Sequence, residues 1–443
     1  MLLMLGLAVG WPAFAMAEPA ALQQARDAFE RRQYDRVLVL VEPLIKGAAP
    51  EARKLKVRSL VRLERPVDAL AAYDGLDGNG GRSETALLRE VAFGFITPVL
   101  KDMREQMRGA AYTALKEVHT EETIPYLEDG LGDGSGLVRA LAAEALGRLK
   151  AGQRSARLRK AIDDQAAMVR VAVLKALGRS GDKTVIALVE KSLNDEQATV
   201  RMAAAEALIR LGRSELWPRI LEAAKAPNPE ERGAALHILG ELRDKRALPV
   251  LKQALEDTQP SVRGAAALAV GDLEDPEPVP ALIRALKDPV PGVRGAAAIS
   301  LGKLHAVAAR SELTKTLADQ NPGVRADAVA VLLELGAPYD EVAGTVRELT
   351  GSQDPGVRAR VTRSLGKARA GSLKEALQTL QLQAQDPLPQ PRIAAARALG
   401  QVGERETIPI LRQVLHDQDE AVRATAGGAL VRLLDRVVTA KNH

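Results

Sequence analysis

The sequence contains no cysteine. This absence excludes disulfides, thiolate metal ligands, a cysteine nucleophile and lipid attachment through sulfur. Aromatic residues are scarce, at 2% of the chain, although 46% of the residues are hydrophobic. A core with so few rings has to be built from closely packed alanine, leucine and valine, and alanine and leucine have high helix propensities. The composition therefore predicts an all-α protein.

A strong charge of one sign is also missing. The formal net charge is +5 over 443 residues, which gives little support to a nucleic-acid partner. The chain is much longer than one hydrophobic core normally serves, so we expect several domains or an array of repeats.

No uncharged apolar run reaches the roughly 20 residues that a membrane-spanning helix requires. The N-terminal run at residues 2–14 is followed by Ala-Met-Ala at 15–17, a small-x-small pattern. This combination is typical of a Sec-type signal peptide over residues 1–17, although no Lys or Arg precedes the run. Together with the alanine-rich, cysteine-free composition, the short leader predicts a periplasmic or secreted bacterial protein. The alternative is an apolar N-terminus that is retained and is buried or disordered.

One pattern recurs along most of the chain: a Val-Arg pair, or a close variant, followed by small residues. The arginines are 31 residues apart, except for one step of 33 and one of 34. A period of this length is typical of solenoids and propellers. The repeated arginines are Arg108, Arg139, Arg170, Arg201, Arg232, Arg263, Arg294, Arg325, Arg358, Arg392 and Arg423.

The unit at residues 247–275 shows how each repeat is built. Apolar residues at helical spacing predict a first helix from Ala247 to Glu256, and Asp257 begins a turn. Pro260 stands where a second helix begins, since a proline needs no N–H partner at the first helical position. Each unit is thus a helical hairpin that buries its apolar faces only by stacking on its neighbours.

An aspartate precedes the repeated arginine by six positions in most units, with Ala226 and Ser352 as exceptions. Such a carboxylate can accept N–H bonds at the start of the second helix. It can also meet the arginine of its own unit or of a neighbour, because a guanidinium carries several fixed donors. We therefore predict a structural ladder, and prefer it to a row of phosphate-binding arginines. The predicted ladder comprises Asp133, Arg139, Asp164, Arg170, Asp195, Arg201, Asp257, Arg263, Asp288, Arg294, Asp319 and Arg325.

The chain resembles HEAT repeats, and more closely the short HEAT-like class that is also found in phycobilisome bilin lyases. The resemblance rests on a proline in the first helix, the aspartate of the turn and a second helix of the form VRxxAAxALGxL. The segment VRALAAEALGRL at 138–149 fits this form almost completely, and the prolines are Pro125, Pro218, Pro249, Pro280 and Pro409. The resemblance implies a right-handed α-solenoid of about 11 HEAT-like hairpins over residues 85–435, and we expect each of these prolines to kink its helix.

The remaining segments differ in composition. Residues 18–76 resemble two degenerate tetratricopeptide hairpins. Residues 77–84 are rich in glycine and polar residues, which predicts a linker, and residues 436–443 are expected to form a tail.

No catalytic constellation is apparent in the sequence. None of the five histidines lies at metal-ligand spacing from another, and no His-Glu dipeptide occurs, unlike the iron-binding pairs of the HEAT-like deoxyhypusine hydroxylases. The repeated glycines lie late in the second helices, where they favour close packing over phosphate binding. An exported chain with two tryptophans, one of them in the leader, is also a poor bilin lyase. We expect a protein that is not an enzyme and needs no cofactor or metal.

Repeat proteins commonly bind partners along the inner face that successive second helices build. The position five residues after the repeated arginine is the best candidate for exposure there. It is occupied by Thr113, Glu144, Lys175, Glu206, His237, Leu268, Ile299, Ala330, Arg363, Arg397 and Gly428, of which the later ones are basic. We predict that His237, Leu268, Ile299 and Ala330 contact a partner segment. The alternative is that packing between helices covers them.

A second candidate surface is basic. Arg148, Arg179 and Arg210 occupy position nine after the arginine in three consecutive units, and the segment between the first two adds further basic residues. Such a patch suits an acidic protein, anionic lipid headgroups or another polyanion. The alternative is a solvated face that maintains solubility. The patch comprises Arg148, Lys150, Arg154, Arg157, Arg159, Lys160, Arg179 and Arg210.

The sequence thus predicts a non-enzymatic protein–protein interaction scaffold or adaptor of the cell envelope, with no transmembrane segment in the mature chain and no nucleic-acid partner. One alternative is an accessory subunit of an enzyme complex, whose site a partner completes. Another is polyanion or nucleic-acid binding through the basic patch, which requires a cytoplasmic protein.

Overall fold

The computed structural model describes residues 20–46, 50–76 and 82–440, and within these ranges every regular element is a helix. The chain divides into two compact units between Val91 and Ala92. The predicted signal peptide at 1–17 lies outside the described residues, as do most of the predicted linker and the last three residues of the predicted tail.

The first unit consists of helical hairpins. Its helices are α1 (Ala20–Glu30), α2 (Tyr34–Lys46), α3 (Pro50–Arg62), α4 (Pro66–Asp74) and the larger part of α5 (Arg82–Gly94). Leu22, Val37 and Val41 lie in a core shared by α1, α2 and α3. Arg32 and Glu64 adopt positive φ angles of 59° and 56° in the two hairpin turns. This conformation directs the chain back along the preceding helix.

The second unit has an inner and an outer layer of helices. The eleven second helices pack against one another in succession, whereas the first helices mainly contact the second helix of their own hairpin. The second helices are α6 (Glu105–Val118), α8 (Gly136–Leu146), α10 (Ala167–Arg179), α12 (Ala198–Arg210), α14 (Pro229–Leu242), α16 (Pro260–Asp272), α18 (Pro291–Lys303), α20 (Pro322–Glu334), α22 (Pro355–Ser364), α24 (Pro389–Val402) and α26 (Glu420–Ala440).

The first helices are shorter, and many follow a turn of 3₁₀ helix. They are α7 (Ile124–Gly130), α9 (Ala156–Lys160), α11 (Ile186–Glu190), α13 (Trp217–Ala223), α15 (Leu248–Ala254), α17 (Val279–Ala285), α19 (Arg310–Thr316), α21 (Tyr339–Thr350), α23 (Leu373–Gln383) and α25 (Thr407–Val414). The hairpin of α6 has the 3₁₀ turn Pro98–Lys101 in the corresponding place.

The prolines of the first helices do not kink a continuous helix, contrary to the prediction. Pro249 is the second residue of α15, which follows a separate 3₁₀ turn at Lys245–Ala247. Its missing N–H therefore falls where a helix has no internal acceptor for it. Pro260 is the first residue of α16, as the sequence predicts.

The core between the second helices is made of small residues. In α18, for example, Ala296, Ala297, Ala298 and Leu301 are all buried. The repeated glycines allow the helices to approach closely: a Cβ on Gly178 would stand only 2.6 Å from the Cα of Ala207 on the next helix. The low aromatic content is thus matched by close contact between helix backbones.

The second unit closes on itself. The last helix, α26, packs against α6 of the first hairpin as each second helix packs against the next. The closure is charged at its rim, where Arg104 Nη2 lies 2.7 Å from Glu420 Oε2. Arg397 of α24 also donates to Glu117 of α6 over 3.0 Å. The sequence predicts the α-solenoid and its approximate number of hairpins but does not predict closure.

The number of second helices sets the size of the ring. Eleven helix axes spaced about 9 Å apart lie on a circle of about 16 Å radius. Because the second helices are the closely packed layer, they form the inner wall, and the first helices lie outside.

Helix α26 continues to Ala440, past the predicted start of the tail at 436, since no glycine or proline interrupts the sequence there. None of the helices described is long and apolar enough to cross a membrane.

Candidate inner-face binding surface

The repeated arginine ties each turn to the next hairpin. Arg139 Nη1 donates to the carbonyl oxygens of Asp133 and Gly134 in its own turn, over 2.8 and 3.2 Å. Its Nε and Nη2 donate to the two carboxylate oxygens of Asp164 in the next unit, over 2.7 and 2.8 Å. Asp164 also accepts the N–H of Ala166 just before the second helix. One side chain thus joins two turns.

The same bidentate pair recurs around the ring. The pairs are Arg108–Asp133, Arg139–Asp164, Arg170–Asp195, Arg232–Asp257, Arg263–Asp288, Arg294–Asp319, Arg358–Asp386 and Arg392–Asp417. Where the next unit lacks the aspartate, Arg201 lies 3.7 Å from Glu231, and Arg325 lies 3.0 Å from Glu348. The structure thereby places the ladder between neighbouring units.

These pairs are largely buried and strongly ionised. The hydrogen bonds from Arg139 hold the pKa of Asp164 below its ordinary value, and Asp164 in turn raises the pKa of Arg139. Because the donors of Arg139 are engaged with its own turn and with the next unit, this side chain has a structural task and does not present a guanidinium to a ligand.

The four predicted partner-binding residues lie on four consecutive second helices at one register. Leu268 and Ile299 are 38% and 36% exposed, Ala330 is half-buried, and His237 is exposed. Packing between helices therefore leaves the two large aliphatic side chains accessible on the inner wall. His237 belongs to a different neighbourhood, since its Nε2 lies 3.2 Å from Lys175 Nζ.

Most charged side chains on the α6–α14 part of the wall satisfy one another. Lys116 of α6 donates to Glu144 of α8 over 3.1 Å, and Arg148 binds the same carboxylate over 2.7 Å. Lys175 of α10 reaches Glu241 of α14 over 2.9 Å. This part of the wall is polar but offers few unpaired groups.

Glu206 lies on α12, between the helices that Lys175 and Glu241 connect, and is only 1% exposed. Burial, and next the nearby Glu241 carboxylate, raise the pKa of Glu206, while Arg210 Nε donates to its Oε1 over 2.8 Å. Burial and the Lys175 ammonium lower the pKa of His237. Glu206 and His237, together with Lys175 and Glu241, thus form a cluster of ionisable side chains on the inner wall.

The predicted basic patch is divided between the two layers. Arg179 and Arg210 end the second helices α10 and α12, and Arg148 lies in the turn after α8. Arg157, Arg159 and Lys160 lie on the outer helix α9, and Lys150 and Arg154 lie in the segment before it. Several members are paired: Arg157 lies 2.7 Å from Asp129, and Arg159 lies 2.8 Å from Asp182. A groove beside α9 also contains Glu128, Asp129, Asp163 and Asp164. The residues do not form one continuous cationic surface.

A smaller basic group on the inner wall was not singled out from the sequence. Arg360 and Arg363 of α22 lie next to Arg397 of α24 in the order of the ring. The position two residues after the repeated arginine is alanine in most units, but it is Asp327 in α20 and Arg360 in α22. That departure from the repeat is the sequence signal that marks this sector. Among the described residues, no group of three or more histidine, aspartate or glutamate side chains is arranged to hold a metal ion.

The fold and wall define a class of protein: a closed α-solenoid of helical hairpins tied together by a repeated ion pair. The family model of HEAT repeats matches residues 95–167, 155–218, 217–302, 259–334, 310–390 and 377–440. The chain belongs to the HEAT repeat family, and the resemblance seen in the sequence is confirmed.

Solved structures resemble the chain at low sequence identity. Human deoxyhypusine hydroxylase in complex with glycerol is 21% identical, with 60% of this chain and 100% of that chain covered and a TM-score of 0.33. The complex of CpcE and CpcF of phycocyanin lyase from Nostoc is 21% identical, with coverages of 61% and 96% and a TM-score of 0.34. A Kap121p mutant is 14% identical, with coverages of 93% and 55% and a TM-score of 0.40. No curated protein matches the sequence.

Proposed function

We propose that this HEAT repeat protein is a non-enzymatic scaffold or adaptor that binds a protein partner along the inner wall of its ring. The observation that carries the proposal is the exposure of Leu268 and Ile299 on adjacent second helices. These aliphatic side chains remain accessible beside a wall of paired charges. Removing them from water against a partner segment would stabilise the complex.

The test compares two pairs of substitutions. Leu268→Glu with Ile299→Glu places carboxylates on the inner wall. Val307→Glu with Leu382→Glu is the matched control, because both residues are 68% exposed and neither belongs to a second helix. Cross-linking in the native host should recover a reproducible partner with the parent protein and the control. The inner-wall variant should lose that partner while keeping the same helix content and melting temperature. Retention of every partner by the folded inner-wall variant would refute the proposal.

We further propose that the scaffold acts in the bacterial cell envelope after export. The support is the apolar run at 2–14 followed by Ala-Met-Ala at 15–17. N-terminal sequencing of the protein recovered from the periplasmic fraction should begin at Glu18. Ala17→Leu, which disturbs the small-x-small pattern, should slow processing. A full-length chain found only with cytoplasmic markers would contradict export.

A further inference from the structure

Arg363 is an inner-wall cation that forms no salt bridge with the described residues, although the Asp327 carboxylate attracts it from a distance. It lies on α22, one turn after Arg360, and its side chain is exposed. Its two basic neighbours are paired: Arg360 Nη2 donates to Asp327 over 2.6 Å, and Arg397 Nε donates to Glu117 over 3.0 Å. Asp327 and Glu117 thus already accept hydrogen bonds from Arg360 and Arg397, and Asp327 acts on Arg363 only through its charge. The guanidinium donors of Arg363 stay available to a ligand.

The setting of Arg363 is unfavourable for a cation. Loss of hydration in the concave wall, and next the charges of Arg397 and Arg360, hold the pKa of Arg363 below its ordinary value. A guanidinium remains charged in proteins, so the mismatch is relieved by an anion and not by loss of a proton. A carboxylate suits the planar donors of Arg363 especially well.

The apolar part of the wall begins beside this cation. In the order of the ring, α20 with Ala330 separates Arg363 from Ile299 on α18, and Leu268 follows on α16. Gly264 lies one turn before Leu268 on the same side of α16, and a Cβ there would meet no atom within 4 Å. The wall is therefore shallow next to Leu268 and leaves space for a bound backbone.

We propose that Arg363, with Arg397 beside it, binds an acidic side chain of an extended peptide whose aliphatic side chains lie on Ile299 and Leu268. Two helix spacings separate the axes of α22 and α18, which is about 18 Å. Side chains that point inward come closer than that, since Lys175 and Glu241 meet across α12 over 2.9 Å. An extended chain covers even the axis-to-axis distance in about five or six residues, so a segment of this length or shorter spans the two sites. This inference rests on the proposed function and specifies the chemistry of the partner.

A fatty acid also combines a carboxylate with an aliphatic chain, but it suits the wall less well than a peptide does. Small amphiphiles are bound in cavities that enclose most of their surface. Leu268 and Ile299 instead stand on an open wall at about one third exposure. A peptide, which keeps one side in water, fits such a surface.

The experiment selects 12-residue peptides from a random phage-displayed library on the immobilised full chain, and then measures the affinity of synthetic copies by fluorescence anisotropy. We expect enriched peptides to carry Asp or Glu within about six residues of a pair of aliphatic residues. Arg363→Gln should weaken binding roughly tenfold or more, as for the loss of a charged hydrogen bond. It should fold normally, because Arg363 forms no salt bridge within the part of the chain that the structure describes. Arg284→Gln, at an exposed arginine of the outer helix α17, is the matched control and should have no effect.

A double-mutant cycle identifies the contact. Replacing the peptide's acidic residue with its amide should cost the parent protein the same factor as Arg363→Gln, and should cost that variant almost nothing more. Peptides that need Leu268 and Ile299 but are indifferent to Arg363→Gln would overturn this inference and leave the proposed function standing. The absence of any peptide sensitive to Leu268→Glu with Ile299→Glu would count against both. Selective binding of palmitate through Arg363, with no acidic peptide enriched, would replace the peptide with a lipid.

Discussion

Gly428 of the last helix lies against Ala114 of the first hairpin, so closely that a Cβ on Gly428 would stand 2.9 Å from the Cβ of Ala114. The neighbouring Gly427 is equally restricted, since its Cβ would approach the carbonyl oxygen of Ala92 to 2.4 Å. Open solenoids need capping repeats because their ends expose apolar faces. Here each end covers the other.

The first prediction concerns this closure. Gly428→Val should separate α26 from α6, because the added atoms meet the backbone of Ala114 and cannot be accommodated by a side-chain rotation. We expect a stability loss of about 2 kcal/mol, typical of overpacking, and a larger radius of gyration in small-angle X-ray scattering. Gly264→Val, at a helix glycine with open space, is the control. Unchanged scattering of Gly428→Val would show that the ring tolerates the substitution.

The second prediction separates two glycines of the same helix, α14. A Cβ on Gly240 would stand 2.6 Å from the Cα of Ala269, whereas a Cβ on Gly233 would meet nothing within 4 Å. Gly240→Ala should destabilise the protein by about 2 kcal/mol. Gly233→Ala should stabilise it by about 0.5–1 kcal/mol, because alanine is the better helix former. Urea denaturation measures the change in the free energy of unfolding for both variants. Changes of the same sign would contradict the packing account.

The third prediction tests the ladder. Asp164→Ala leaves the largely buried Arg139 without its carboxylate and should cost about 3 kcal/mol or more. Asp164→Asn, which keeps an acceptor for the N–H of Ala166, should cost less. Replacing both partners with apolar residues should recover much of the loss. A cost of Asp164→Ala below that of an exposed pair would show that the ladder contributes little to stability.

The fourth prediction adds a missing rung. Arg201 faces a unit that has Ala226 where most units have aspartate, and it instead pairs with Glu231 at 3.7 Å. Ala226→Asp should give Arg201 a bidentate partner and stabilise the protein by about 1 kcal/mol. Ala226→Asn, which supplies the turn acceptor without the charge, should gain less. Thermal unfolding at low and high salt measures the difference.

The fifth prediction concerns pH. Burial raises the folded-state pKa of Glu206 above its ordinary value of 4.5. The contribution of Glu206 to the free energy of unfolding is therefore fully present below its pKa in the unfolded chain. That contribution is lost as the pH rises through its pKa in the folded protein. Glu206→Gln should leave stability unchanged near pH 4 and increase it at pH 8. The exposed Glu222→Gln should show no such trend. A stabilisation that grows as the pH falls would contradict the assignment.

Much of the binding surface follows from the repeat register. Leu268 and Ile299 were expected on the inner wall because they occupy one position in consecutive units, and the structure exposes both. His237 occupies the same position but associates with Lys175, two helices away. A register gives the direction of a side chain, whereas its partners depend on the curvature of the layer.

The sequence by itself determined the elements that depend on local interactions. Helical periodicity, the proline that begins six of the eleven second helices and the turn aspartate act at the level of one hairpin, so a single unit contains the information for them. The tertiary structure decided the rest. Each arginine could have bound the aspartate of its own or of the neighbouring unit, and the stacking distance selected the neighbour. Closure depends on small rotations summed over eleven hairpins, and no single residue encodes that sum.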